Sequence, residues 1–221
     1  MPSTGTPRGP YRTGIRRREQ IVAVAIEVFG ELGYAGGSIR TIADRVGVSH
    51  ATLLQHFGSK EGLLTAVLEE WDRRAFENGL SDVSGLDYFR RLPQATTAAS
   101  GNRGLQELFT TMAAEASSPT HPVHAFIQRR YANQFATLAA HLQRAVDAGD
   151  VAPLTADQID LEVRLVTAVL DGIGLQWLLD PSTDVTASVQ TYITRTIAAW
   201  RASGRAARIN RHTKSTPTRR G

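Results

Sequence analysis

Residues Ser38 to Phe57 read Ser-Ile-Arg-Thr-Ile-Ala-Asp-Arg-Val-Gly-Val-Ser-His-Ala-Thr-Leu-Leu-Gln-His-Phe, and this stretch decides the fold. Ser38 suits a helix N-cap, because its hydroxyl can accept from an unpaired N–H of the first turn. Ile39, Ile42, Ala43 and Val46 then recur at the 3–4 residue spacing of one helix face. Gly47 ends that helix, and Ser49 caps another that carries Leu53 and Phe57 inward. Two short helices joined through a glycine turn form a helix-turn-helix: small Ala43 lets the helices cross closely, Gly47 takes left-handed backbone, and Val48 fills the angle between them. The second helix then projects outward. Its first turn, Ser49, His50, Ala51 and Thr52, faces the floor of a major groove, Gln55 lies on the same face, and the helix N-terminus favours phosphate.

On the N-terminal side, Ile21, Val24, Ala25, Val28, Phe29 and Leu32 predict a helix from Arg16 that Gly33 stops. On the C-terminal side, Ser59 is placed to cap a further helix starting at Lys60-Glu61. Residues 1–15, rich in Pro, Gly, Thr and Arg, read as a flexible basic arm, and 16–60 as the helix-turn-helix domain. Beyond a loop at 79–85, helical patterns cover about 86–100, 103–117, 122–148, 156–179 and 183–203. Nothing reads as a strand. The expected fold is therefore all-α, with a larger effector-binding and dimerisation bundle over 61–204 and a disordered basic tail over 205–221.

Charge is segregated along the chain. The net of +4 divides into +4 for residues 1–60, −7 for 61–200 and +7 for 201–221. Basic ends around an acidic middle point the N-terminal part toward a polyanion, and double-stranded DNA is the leading candidate. The chain has no cysteine, which excludes disulfides, thiolate metal sites and a cysteine nucleophile, and suits a reducing compartment. No apolar run reaches membrane-spanning length and no signal-peptide stretch opens the chain, so a soluble cytoplasmic protein is expected. No phosphate-binding glycine loop or nucleophile–base grouping supports an enzyme, and no cofactor is implied. His121 and His124 have metal-compatible spacing but no evident third ligand, and no metal site is assigned.

Several motifs in order carry a family resemblance: Ala25-x-x-x-Phe29-x-x-x-Gly33-Tyr34, Ile42-Ala43-x-x-x-Gly47-Val48-Ser49, Thr52-Leu53-x-x-His56-Phe57 and Ser59-Lys60-Glu61-x-Leu63-Leu64. Over about residues 16–68 the chain resembles the DNA-binding domain of the TetR family of repressors. The resemblance implies phosphate contacts from Thr52, His56 and Lys60, and base-edge contacts from Arg40, His50, Ala51 and Gln55. Side-chain chemistry agrees for three of these: Arg40 can hold guanine O6 and N7, Gln55 can pair with adenine, and Ala51 can touch a thymine methyl. Leu54 departs from the pattern, since the family usually has a tyrosine there that reaches a phosphate. Arg8, Arg12, Arg16, Arg17 and Arg18 are placed to add backbone or minor-groove contacts.

In the C-terminal half, Phe89, Leu105, Phe109, Met112, Tyr131, Phe135, Val166, Asp171 and Trp177 are candidates to line an apolar effector pocket, and core packing accounts for most of them equally well. Gly172 and Gly174 each cost about 1 kcal/mol within a helix, so close helix approach at a dimer seam or room for a ligand should offset them. The resemblance implies a homodimer whose seam is built from 156–179 and 183–203. The function expected is a dimeric regulator, a repressor released from a palindromic operator by a small-molecule effector. A DNA-binding regulator without such an effector, acting as an activator or controlled by a protein partner, is the alternative.

Overall fold

The computed structural model describes residues 10–77, 80 and 82–213. Among these are nine helices and no strand: α1 (Pro10–Gly36), α2 (Ile39–Val46), α3 (His50–Phe57), α4 (Lys60–Glu77), α5 (Leu86–Ser100), α6 (Arg103–Glu115), α7 (His124–Asp147), α8 (Ala156–Leu179) and α9 (Val185–Thr213). The expected all-α architecture is what the chain adopts. No described helix is long and apolar enough to cross a membrane.

The chain divides into two compact units, and the division is not sequential. The first unit runs through Arg74 and takes back Asn102–Ile127; the second holds Ala75–Gly101 and the chain from Gln128 onward. The sequence pattern groups residues 61–204 in one effector domain, whereas α6 packs with α1 in the first unit. A backbone-to-backbone approach fixes that packing: a β-carbon on Gly104 would meet the Gly30 carbonyl oxygen at 1.9 Å and Gly30 Cα at 2.3 Å. Such closeness is available only to glycine.

The first unit's core collects Ile21, Ala25, Val28 and Phe29 of α1, Ile42 of α2, Leu53 of α3, Leu63, Leu64 and Leu68 of α4, and Met112 of α6. Leu32, expected to point inward, is 47% exposed, because Gly33 breaks the helix immediately after it with φ 66° and ψ 179°. In the second unit Phe89 of α5, Leu142 of α7, Val163 and Val166 of α8, and Val189 and Ile193 of α9 are fully or almost fully buried. The Trp200 indole N–H donates to Glu162 at 2.8 Å, joining α9 to α8, and its ring meets Phe89 edge-on at 5.0 Å.

Both ends of the chain are more helical than expected. Helix α1 begins at Pro10, inside the stretch read as a flexible arm; proline is well suited to a first helical turn, where its missing N–H has no partner to lose. Helix α9 continues to Thr213, through most of the stretch read as a disordered tail. Ala202, Arg205, Ala206, Ala207 and Arg208 are strong helix formers, so propensity extends the helix without an apolar face. Residues 1–9 and 214–221, the remainder of the arm and tail with Arg8, Lys214, Arg219 and Arg220, lie outside the described residues.

Candidate nucleic-acid interface

The two helices of the motif start with the same local device. The Thr41 N–H donates to Ser38 Oγ at 3.0 Å and the two hydroxyls share a hydrogen bond of 2.8 Å. Eleven positions along, the Thr52 N–H donates to Ser49 Oγ at 3.0 Å and those hydroxyls are again 2.8 Å apart. A Ser-x-x-Thr pair thus closes each first turn, and Ser49, a candidate DNA contact, spends its hydroxyl on the cap. Between the helices Gly47 has φ 75° and ψ 39°, and its N–H and that of Val48 both donate to Ala43 O, at 2.9 and 3.0 Å. The short turn is therefore hydrogen-bonded throughout, which holds α3 at a fixed angle to α2.

The predicted base-edge and phosphate residues separate by exposure. Arg40, His50, Ala51 and Gln55 are exposed, whereas Thr52, His56 and Lys60 are half-buried. Leu54, where the family resemblance led one to expect a phosphate-reaching tyrosine, is half-buried as well. His56 lies with its ring centroid 6.1 Å from that of Phe57.

The Lys60 ammonium stands 4.2 Å from the centroid of the Tyr34 ring, a cation–π geometry. Burial holds the Lys60 amine below its usual range, opposed by the Glu61 charge. The Tyr34 hydroxyl donates to Glu61 Oε1 at 3.0 Å; burial first, then that hydrogen bond and the Glu61 and Glu115 charges, push the phenol up. Hydrogen bonds from the Ser59 hydroxyl and from its own backbone N–H keep Glu61 below the usual carboxylate range. This clamp joins the end of α1 to the start of α4. Tyr34, Lys60 and Glu61 are motif residues in the sequence, but no local spacing brings Tyr34 to the other two. Arg18, one of the arginines placed to contact DNA, is exposed, with its guanidinium 5.2 Å from the Phe57 ring centroid.

The nine candidate effector-pocket residues fall into two groups. Leu105, Phe109 and Met112 are buried in the first unit, where Phe109 meets Trp71 of α4 with ring centroids 5.9 Å apart. Phe89, Tyr131, Phe135, Val166, Asp171 and Trp177 belong to the second unit. There Phe89 and Val166 are core residues, and Trp177 is half-buried against the same core. Tyr131, Phe135 and Asp171 come together: the Tyr131 hydroxyl donates to Asp171 Oδ2 at 2.8 Å, and the Tyr131 and Phe135 centroids are 5.9 Å apart. Burial raises the Asp171 carboxyl above its ordinary range, against the hydrogen bond from Tyr131 and the Arg130 charge, which act downward.

The His124 Nδ1–H donates to the Ala116 carbonyl at 2.6 Å, and His121 Nε2 lies 3.6 Å from Glu115. Among the described residues no group of three or more His, Cys, Asp or Glu is arranged to hold a metal ion.

Residues 21–67 match the sequence family described as "Bacterial regulatory proteins, tetR family". The activator FasR of Mycolicibacterium smegmatis is 44% identical over 68 residues, which cover 31% of this chain and 31% of that protein. The regulator BetI of Vibrio vulnificus is 24% identical over 185 residues, 82% of this chain and 87% of its own length. In fold, the chain is similar to FadR of Bacillus subtilis, solved with stearoyl-CoA, with a TM-score of 0.67 at 18% identity over 81% of this chain and 97% of that one. A capped helix-turn-helix at the N-terminus lies within the segment, residues 21–67, that matches the tetR family of bacterial regulatory proteins, and the all-helical chain around it is similar in fold to a solved regulator.

Proposed function

We propose that this protein is a homodimeric, DNA-binding transcriptional regulator of the cytoplasm, a repressor that leaves a palindromic operator when a small molecule binds. The observation that carries the DNA reading is the pairing of a rigidly capped α3 with exposed Arg40, His50, Ala51 and Gln55. Side chains on a fixed helix can present a constant donor and acceptor pattern to base edges, and these residue types suit guanine, adenine and the thymine methyl. Thr52, His56 and Lys60 then take phosphate positions around the same helix, and Ser49 contributes its place at the helix N-terminus.

Dimer formation is supported by α8. Leu161, Leu165, Ala168, Gly172, Leu175 and Leu179 are spaced 4, 3, 4, 3 and 4 residues apart, and its four leucines are 45–79% exposed. An apolar stripe at this period on a helix surface is the pattern that packs against another helix. A β-carbon at Gly172 would meet nothing within 4 Å in the single chain, which leaves that position open to a partner's helix. In such a dimer the two α3 helices enter successive major grooves about 34–36 Å apart. An effector releases DNA by favouring a conformation with different spacing, to the extent of its differential affinity for the two.

Activation is the second reading. It is favoured by the description of FasR, 44% identical over 68 residues, as an activator. Fluorescence anisotropy on DNA from immediately upstream of the gene, beside a shuffled duplex and over a salt series, tests the common core of both readings. A complex that outlasts the control as salt rises supports them; equal binding that fades together refers the affinity to the basic segments alone.

A further inference from the structure

We propose that Asp171, Thr167 and Tyr131, with the Phe135 ring beside them, form the polar end of an effector site in the second unit that takes an organic ammonium ion bearing at least one N–H and an apolar body. This deepens the reading of the second unit as effector-binding and rests on it.

Two contacts fix which flank of α8 faces α7. The Arg164 guanidinium lies 4.6 Å from the Phe135 ring centroid, and Asp171 receives the Tyr131 hydroxyl at 2.8 Å. Thr167 stands three residues after Arg164 and four before Asp171, so it occupies the same flank one turn from each. It is 2% exposed, and its hydroxyl has no hydrogen-bond partner among the described residues. Buried hydroxyls in native proteins are nearly always satisfied, by the i−4 carbonyl in a helix if by nothing else. An orphan at this place, one turn from a carboxylate, is a position kept for a group that arrives from outside.

The ligand class follows from what the flank offers. Asp171 is acceptor-only when ionised; the Tyr131 phenol donates to it, and the Arg130 charge acts on it as well. A buried carboxylate bonded by a neutral donor is complemented by a cation with an N–H to give, whereas an anion has to approach its charge. Aromatic faces at Tyr131 and Phe135 add attraction for positive charge. Arg164 bonds Asp160 at 2.7 Å and already stands over Phe135, so this rim arginine has an acidic partner of its own. An N–H on the ligand completes the set, because Thr167 Oγ1 can accept it or Asp171 can. A quaternary ammonium has no N–H to give and leaves both oxygens as they are.

The experiment uses the full chain and three probes of similar size: 2-phenylethylammonium, its N-trimethyl derivative and 3-phenylpropanoate, each at about 10 mM, with thermal unfolding as the readout, since a ligand that binds the native state alone raises the melting temperature. The primary ammonium is expected to raise it most, the quaternary ion less and the anion not at all. Asp171→Asn, which keeps an acceptor for Tyr131, should abolish the gain, and Thr167→Val should reduce the difference between the primary and quaternary ions. Circular dichroism establishes that both variants fold. Stabilisation that survives in Asp171→Asn, equal or greater stabilisation by the anion, or no response to the ammonium in the wild type overturns the proposal. Response to the anion alone would leave the effector reading standing with a different ligand class, whereas loss of operator binding in the anisotropy assay bears on the regulator reading and not on this site.

Discussion

Gly30 of α1 and Gly104 of α6 touch backbone to backbone, and the contact is unequal between them. A β-carbon on Gly104 would fall 1.9 Å from the Gly30 carbonyl oxygen, whereas one on Gly30 would first meet the Asn102 side-chain oxygen at 3.2 Å. Backbone cannot swing aside, but the end of a side chain can. Gly104→Ala is therefore expected to lower stability by about 1–3 kcal/mol, as overpacking does, and Gly30→Ala by distinctly less. Urea denaturation of the two variants checks this; equal midpoints would refute the asymmetry.

Exposed readers and capping residues should fail differently. Gln55→Ala and Arg40→Ala are expected to weaken operator binding by about 10–100-fold, the range of one good base contact, with the melting temperature unchanged. Ser38→Ala and Ser49→Ala each remove a side-chain acceptor from a helix first turn and should cost about 1 kcal/mol of stability. Anisotropy and thermal unfolding on all four proteins separate the classes.

His141 is buried and stacked on Tyr88, with ring centroids 3.8 Å apart and planes 15° off parallel. Arg144 donates to its Nδ1 at 3.2 Å, which requires an unprotonated acceptor there. Burial, and then the Arg144 charge, hold the imidazole below its ordinary 6.5. The unfolded chain consequently binds a proton that the folded chain refuses, so this contribution is intact above pH 6.5 and is lost as pH falls below it toward the folded value. His141→Phe should flatten the stability profile on the acid side of pH 6.5, measured by denaturation at a series of pH values.

Asp171 carries the opposite sign. Burial raises its carboxyl above 3.8, so the folded chain holds the proton longer than the unfolded one, and stability declines as pH rises from 3.8 through the folded value. Asp171→Asn should accordingly raise the melting temperature at neutral pH in the absence of any ligand. A fall there would mean that the ionised carboxylate has a stabilising partner.

The α8 stripe predicts a change of assembly. Leu165→Glu with Leu175→Glu places charge in the middle of the proposed seam and should convert a dimer to a folded monomer that loses tight operator binding. Sedimentation velocity and anisotropy read both effects; a dimer that persists in the double variant would move the seam elsewhere.

What the sequence reveals depends on how far apart the interacting groups lie. The caps at Ser38, Ser49 and Ser59 are legible because each bond spans three residues. The turn at Gly47 is legible for the same reason. The exposure of Arg40, His50, Ala51 and Gln55 follows from helix phase once the inward face is known. The Lys60–Tyr34–Glu61 clamp and the Tyr131–Asp171 bond join positions distant in the chain, and nothing in the local pattern announces them. Phe109 and Met112 show the limit most clearly. Their apolar period places them on a helix face but not in a unit, and what assigns α6 to the first unit is the close glycine contact with α1.

That assignment bears on how DNA specificity could be moved between relatives. A transplant cut at the end of α4 would carry the reading helices but leave Asn102–Ile127 behind, stripping α1 of the helix that its Gly30 was shaped to receive. A working graft has to be made in two pieces, because the helix that supports α1 is separated from α4 in sequence by Ala75–Gly101.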